Sequence, residues 1–203
     1  MQWLGSERNL ASVICRWQAI VLCIALPLCG LAQEVPKFEW RAPAVGAGVF
    51  TDALGLHDRE REEYANSLAA EASNGVAVAA GSAESLENAR RLVALALHLS
   101  PRNRKALVLS FQLSRGVLPE VVDGSYRSEV LAGLLFTRSQ ALRRQGGPEN
   151  ELAARVFTEL AAEFDPRNDD AVFANELLKL DFGPVDWLVF TESKESAPAE
   201  SAP

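Results

Sequence analysis

Hydrolytic, redox and metal chemistry is built mainly from imidazoles, thiols and grouped carboxylates, and this chain is sparing with the first two. Its imidazoles are His57 and His98. His98 lies between Leu97 and Leu99 in an apolar stretch with no carboxylate close by in sequence, the setting of a packed or surface histidine rather than a general base. His57 precedes Asp58, Glu60, Glu62 and Glu63, which together offer oxygen to a cation, yet it lacks the second histidine that helical zinc motifs use. The run Asp58-Arg59-Glu60-Arg61-Glu62-Glu63 has instead the charge pattern of a solvated helix face. Gly46-Ala47-Gly48 has neither the lysine nor the following helix of a phosphate loop, and no serine stands in a nucleophile elbow. No catalytic, metal-binding or cofactor-binding residue is therefore assigned, and no cofactor is expected. The enzymatic alternative is a carboxylate site assembled from distant residues, such as Glu60 and Glu62 with Asp169 and Asp170 in a cleft.

The thiols, Cys15, Cys23 and Cys29, fall in an N-terminal stretch where Arg8 and Arg16 precede an uncharged apolar run from Trp17 to Ala32. A basic flank before such a run is signal-peptide anatomy, and Gly30-Leu31-Ala32 puts small residues where a signal peptidase reads. Cleavage is expected after Ala32, leaving a mature chain that begins at Gln33 with neither disulfides nor a thiol nucleophile. Residues 17–32, broken by Pro27 and Gly30, are short against the roughly 20 that span a bilayer. If retained, they would make the chain a membrane-tethered spacer. A lipid anchor on Cys29 is disfavoured by Leu28, because the residue before a lipidated cysteine is usually small. Cleavage removes Glu7, Arg8 and Arg16, one acid and two bases, and so takes the net charge from −7 to −8. An acidic chain without a basic stripe does not suit nucleic acid, whose affinity comes largely from clustered Lys and Arg on phosphates. The expected partner is a protein or peptide, and a membrane only if residues 1–32 are kept.

The elements that must position any site are helices. Residues 33–56 mix Pro, Gly and isolated aromatics without a helical period and read as an irregular leader that packs or stays loose. Helical signal begins near His57 and is expected to break over Ser73 to Gly81, at Asn74-Gly75. A second helix from Ala83 to Leu99 carries Leu86, Ala89, Leu92, Val93, Ala96 and Leu99 on one face, with Ser82 able to cap it and Pro101 to end it. A third covers Arg104 to Ser114 and stops at Gly116. The fourth, from about Tyr126 to Gln145, presents Val130, Leu131, Leu134, Leu135 and Leu142. Gly146-Gly147-Pro148 separates it from a fifth, Glu149 to Phe164, with a stripe of Leu152, Val156, Phe157, Leu160, Ala161 and Phe164. A sixth runs from Asn168 to Leu180. Trp187 to Phe190 is a short apolar run, and the Ser, Ala, Pro and Glu residues from Ser193 onward cannot bury a core.

Two of these segments match at a spacing of 65 residues. Ala89-Arg90, Ala96, Pro101-Arg102-Asn103 and Ala106 recur as Ala154-Arg155, Ala161, Pro166-Arg167-Asn168 and Ala171. Alanines seven residues apart let one helix lie close against its neighbours, and the proline forces a turn before the next helix. This pattern resembles the second helix and closing turn of a tetratricopeptide (TPR) repeat, and the spacing is close to two such units. The small residue and the aromatic expected in the family's first helix are replaced by Phe111 and Ser114, and by Glu176 and Lys179. The resemblance implies an all-α fold of antiparallel helical hairpins stacked as a short TPR-like α-solenoid of about six helices. It also implies a groove lined by first helices, which would fall on Lys105, Val108, Gln112, Arg115, Asp170 and Phe173. Read without the family, those six are ordinary solvated or core-facing helix residues. The resulting organisation is a signal peptide over 1–32, the leader over 33–56, a helical domain over 57–182, and an apolar segment with a disordered tail over 183–203. The function expected is an exported, periplasmic or cell-envelope, non-enzymatic interaction or assembly module.

Overall fold

The computed structural model describes residues 38–46, 49–122 and 127–193. The expected signal peptide, the start at Gln33, the helix start at Tyr126 and the tail from residue 194 lie outside the described residues. The described chain is all-α: α1 (Asp58–Val78), α2 (Ala83–Leu99), α3 (Arg104–Ser114), α4 (Ser128–Gln145), α5 (Pro148–Phe164), α6 (Asp169–Phe182) and the single turn α7 (Leu188–Thr191). Side-chain caps fix three of the starts. Ser82 Oγ accepts from the Ser85 amide at 3.2 Å, Asn103 Oδ1 from Ala106 at 3.0 Å and Asn168 Oδ1 from Ala171 at 3.1 Å. Pro148 opens α5, where its missing N–H would have had no helical partner. Gly146 and Gly183, with φ of 68° and 76°, end α4 and α6 in conformations that disfavour a side chain.

Two expectations are corrected here. The first helix does not break at Asn74-Gly75 but continues to Val78, because Leu68, Ala72 and Val76 continue one buried face past that point. That burial outweighs the roughly 1 kcal/mol that a helical glycine costs. Asn74 also has a tertiary use, since its Oδ1 accepts from the Val122 amide at 2.8 Å. The break comes instead at Ala80 and Gly81, both at positive φ. In α4 the core face is Leu131, Leu135 and Leu142, whereas Val130 and Leu134 are exposed. The leader packs over its second half, where Phe50, Leu54 and Leu56 are buried. Arg61 holds it there by donating to the carbonyls of Thr51 (2.5 Å), Leu54 (3.3 Å) and Leu56 (3.1 Å).

α1 packs along α2 and α4 along α5, while α3 rests on α1 and α2, α6 on α5, and α7 on α2. The 65-residue match is visible as equivalent burial: Ala89 and Ala154, Ala96 and Ala161, and Ala106 and Ala171 are all enclosed. The turns close alike, with Asn103 N donating to Ser100 O (2.9 Å) and Asn168 N to Asp165 O (3.0 Å). Leu95 with Leu160 and Leu113 with Leu178 extend the match, each buried in both copies. The second unit is not a simple shift of the first. Glu60, early in α1, pairs with Arg138 late in α4 at 2.8 Å, and Glu71, late in α1, accepts from Ser128 at the start of α4 at 2.9 and 3.0 Å. α4 therefore runs opposite to α1.

The two ends of the described domain meet on α2. Phe190, fully buried, brings its ring to 5.8 Å from Phe50, 5.7 Å from His98 and 5.6 Å from Trp187. The Ala44 amide donates to Thr191 O at 2.8 Å, and Arg41 bonds Glu192 at 2.7 Å. Buried Arg90 donates to the same Glu192 carboxylate. Its repeat equivalent, Arg155, bonds Gly183 O at 3.0 Å and lies over the Phe182 ring, so the same position in the repeat holds the end of α6 instead. No described helix is long and apolar enough to cross a membrane.

Candidate partner-binding groove

Between α1 and α3 lies a recess of about 410 Å³. Its floor is apolar, formed by Ala69, Ala70 and Leu109, with Val108 and Val122 on its walls and Ser73, Arg104, Lys105 and Gln112 at its rim. Small residues in α1 allow α3 to approach, and Asn103 fixes the entry of α3 twice over, capping it through Oδ1 and donating from Nδ2 to Asn66 Oδ1 of α1 at 3.0 Å. Val122 closes one side; it ends the segment 117–122, which follows α3 without helical structure and is tied to α1 through Asn74 and Ser73, the latter donating to Glu120 O at 3.5 Å.

Of the residues assigned from the repeat, Lys105, Val108 and Gln112 line this groove. Arg115 does not, because its guanidinium lies 5.3 Å over the Phe111 ring. Asp170 and Phe173 are exposed on α6, which rests on α5, and so belong to a different face. Ala69, Ala70, Ser73, Arg104, Leu109 and Val122 also line the groove, beyond the residues that the repeat indicates. Ala69 and Ala70 fall inside the first helix that the sequence itself indicates, but their place beside α3 is set by packing and carries no local signal. Val122 has no sequence signal, because a loop residue takes its place from tertiary contacts alone.

Two other recesses bear on chemistry. One, of about 380 Å³, lies among α1, α2, α5 and the start of α4 and contains Glu71, Asn88, Ser128 and Glu163. Burial pushes both carboxyls above their ordinary range, with Glu129 adding to the rise at Glu71 and Glu159 at Glu163. The Ser128 hydroxyl and the Arg91 guanidinium work against the rise at Glu71 and Glu163 respectively. Each acid is thus held by a neighbour of its own. The carboxylates of the enzymatic alternative do not share this cleft: Glu60 is paired with Arg138, and Glu62, Asp169 and Asp170 are exposed. Among the described residues no group of three or more His, Cys, Asp or Glu side chains could hold a metal ion.

The other recess, of about 640 Å³, is bordered by Pro43, Val45, Phe50, Leu97, His98 and Leu107. His98 Nε2 stands 2.9 Å from Phe190 O and 3.3 Å from Ser193 Oγ. A carbonyl only accepts, so Nε2 must carry the hydrogen and in that tautomer cannot take a proton from Ser193. Burial lowers the imidazole pKa, partly offset by the bond to Phe190. The pair is a structural clasp. No protein-family model, curated protein or solved structure matches the chain.

Proposed function

We propose that this protein is an exported, non-enzymatic interaction or assembly module of the cell envelope, which uses TPR-like helical hairpins to hold a protein or peptide. The observation that carries the reading is the α1–α3 groove, with its apolar floor and with Lys105, Val108 and Gln112 facing it. Support for the helical-repeat part comes from the α1–α2–α3 step and its partial recurrence in α4–α5–α6, with matching caps and buried alanines. An amphipathic segment seated in such a groove would bury apolar side chains on Ala69, Ala70 and Leu109 and present acidic groups to the rim cations.

The reading is tested by affinity capture from an envelope fraction, with the wild-type domain and Val108→Asp as parallel baits. A partner held by the wild type and lost by the variant, at equal thermal stability, supports it. A partner retained by both, or none captured, overturns it. The export half is tested by mass spectrometry of the native protein, expected to begin at Gln33; an intact Met1 overturns that half.

The half-buried Glu71 and the more exposed Glu163 line one cleft and both have raised carboxyls, which favours a second reading, carboxylate chemistry there. Turnover of any substrate that Glu163→Gln abolishes without unfolding would establish it.

A further inference from the structure

α6 presents an apolar ridge that nothing in the described chain covers: Phe173 is 66% exposed, Leu177 44% and Leu180 82%. Their spacing of four and then three residues puts the three side chains in one row along the helix. Carboxylates flank that row, from Asp169 and Asp170 at the start of α6 to Glu176 and Asp181 further along, and the single base Lys179 is bonded to Glu176 at 2.9 Å. α3, the repeat equivalent of α6, has the opposite character. It has no carboxylate, carries Arg104 and Lys105 in its first turn, and is flanked by Arg102 and Arg115. Cations in a first turn meet the positive end of the helix dipole, so their placement does not help α3 itself.

We propose that the groove between α1 and α3 receives the α6 ridge of a second copy of this chain. The inference rests on the groove reading above and names its occupant. A row of apolar anchors on one helix matches an apolar-floored groove, the helix-in-groove mode of recognition. The acids flanking the ridge then meet the cations at the groove rim, and this charge complementarity selects the acidic α6 rather than the basic α3 as the guest. Within one molecule α6 is fixed on α5 while the groove is built from α1 and α3, so ridge and groove are joined only between copies. Ridge and groove are different surfaces, so the contact closes as a reciprocal pair or continues from copy to copy.

Sedimentation velocity on the full chain tests this. Association that rises with concentration and weakens at high salt is expected, since the rim charges are exposed and screened. Arg104→Glu with Lys105→Glu, and separately Asp170→Lys with Asp181→Lys, should each weaken self-association roughly tenfold or more. Mixing the two variants should restore association, a recovery that mere misfolding of either would not give; circular dichroism checks the helix content of both. A wild type that stays monomeric up to its solubility limit overturns the inference, as does association indifferent to the reversals or a mixture that fails to recover. If the chain stays monomeric while Val108→Asp still loses a captured partner, the groove reading stands and only its assignment to a second copy falls.

Discussion

Phe157 has no exposed surface, and its ring lies 5.2 Å from that of Tyr64, where α5 meets α1. Phe157→Ala should therefore cost about 3–5 kcal/mol, read from urea unfolding, because the lost transfer energy is joined by a cavity between two units. The Tyr64 hydroxyl, pushed up to about 12 chiefly by burial and next by Glu60, stays protonated across the physiological range. His98 gives the residue scale its pH dependence. Its folded pKa is lowered from 6.5, so above that value both folded and unfolded states are neutral and its contribution is fully present. As pH falls below 6.5 the unfolded chain takes a proton that the folded one resists, and stability is lost until the lowered folded pKa is reached. Glu71 and Glu163, with raised folded values, act in the opposite sense and gain stability as pH falls through those values towards 4.5. His98→Gln, which keeps a donor for Phe190 O, should flatten the wild-type decline in melting temperature just below pH 6.5. Equal slopes for the two proteins would show that His98 does not titrate there.

At the scale of elements, Ala96 and Ala161 are the close-contact positions of two equivalent helices and are both fully buried. Ala161→Leu should force neighbours apart at about 1–3 kcal/mol, the usual range for overpacking. Because α5 packs on both α4 and α6, hydrogen exchange should show protection lost in both. Loss confined to α5 would mean that its neighbours stand independently. Ala83, exposed at the start of α2, is a neutral control, and Ala83→Leu should change stability little.

At the largest scale, the described domain is closed by segments far apart in sequence. Phe190, Thr191 and Glu192 bind Phe50, Ala44 and Arg41 across α2, with Arg90 beneath them. Ending the chain before Val185 should remove a fully buried ring and cost at least about 3 kcal/mol. It should also release the 38–46 segment, which limited proteolysis would detect as new cleavage there. Unchanged resistance to protease would show that the two ends are held independently.

The local features of this chain were legible in its sequence because short-range physics sets them. Ser82 caps the helix it precedes, Gly146 and Pro148 mark a junction, and the stripe centred on Phe157 declares a buried face, since capping, φ preference and helical period depend on neighbours within a turn or two. Lys105, Val108 and Gln112 were reached only through the resemblance of the repeat, since nothing in their own neighbourhood on α3 separates a groove residue from a solvated one; the packing of α3 against α1 sets them along the recess. The rest was decided by contacts the local sequence does not encode. Burial of Val76 carried α1 through Asn74-Gly75, the Asn74 amide set the place of Val122, and the ring cluster at Phe190 turned a short apolar run into the closure of the domain. Each of these outcomes depends on burial against a distant partner, which can outweigh local preferences of about 1 kcal/mol and becomes definite only once the helices have packed.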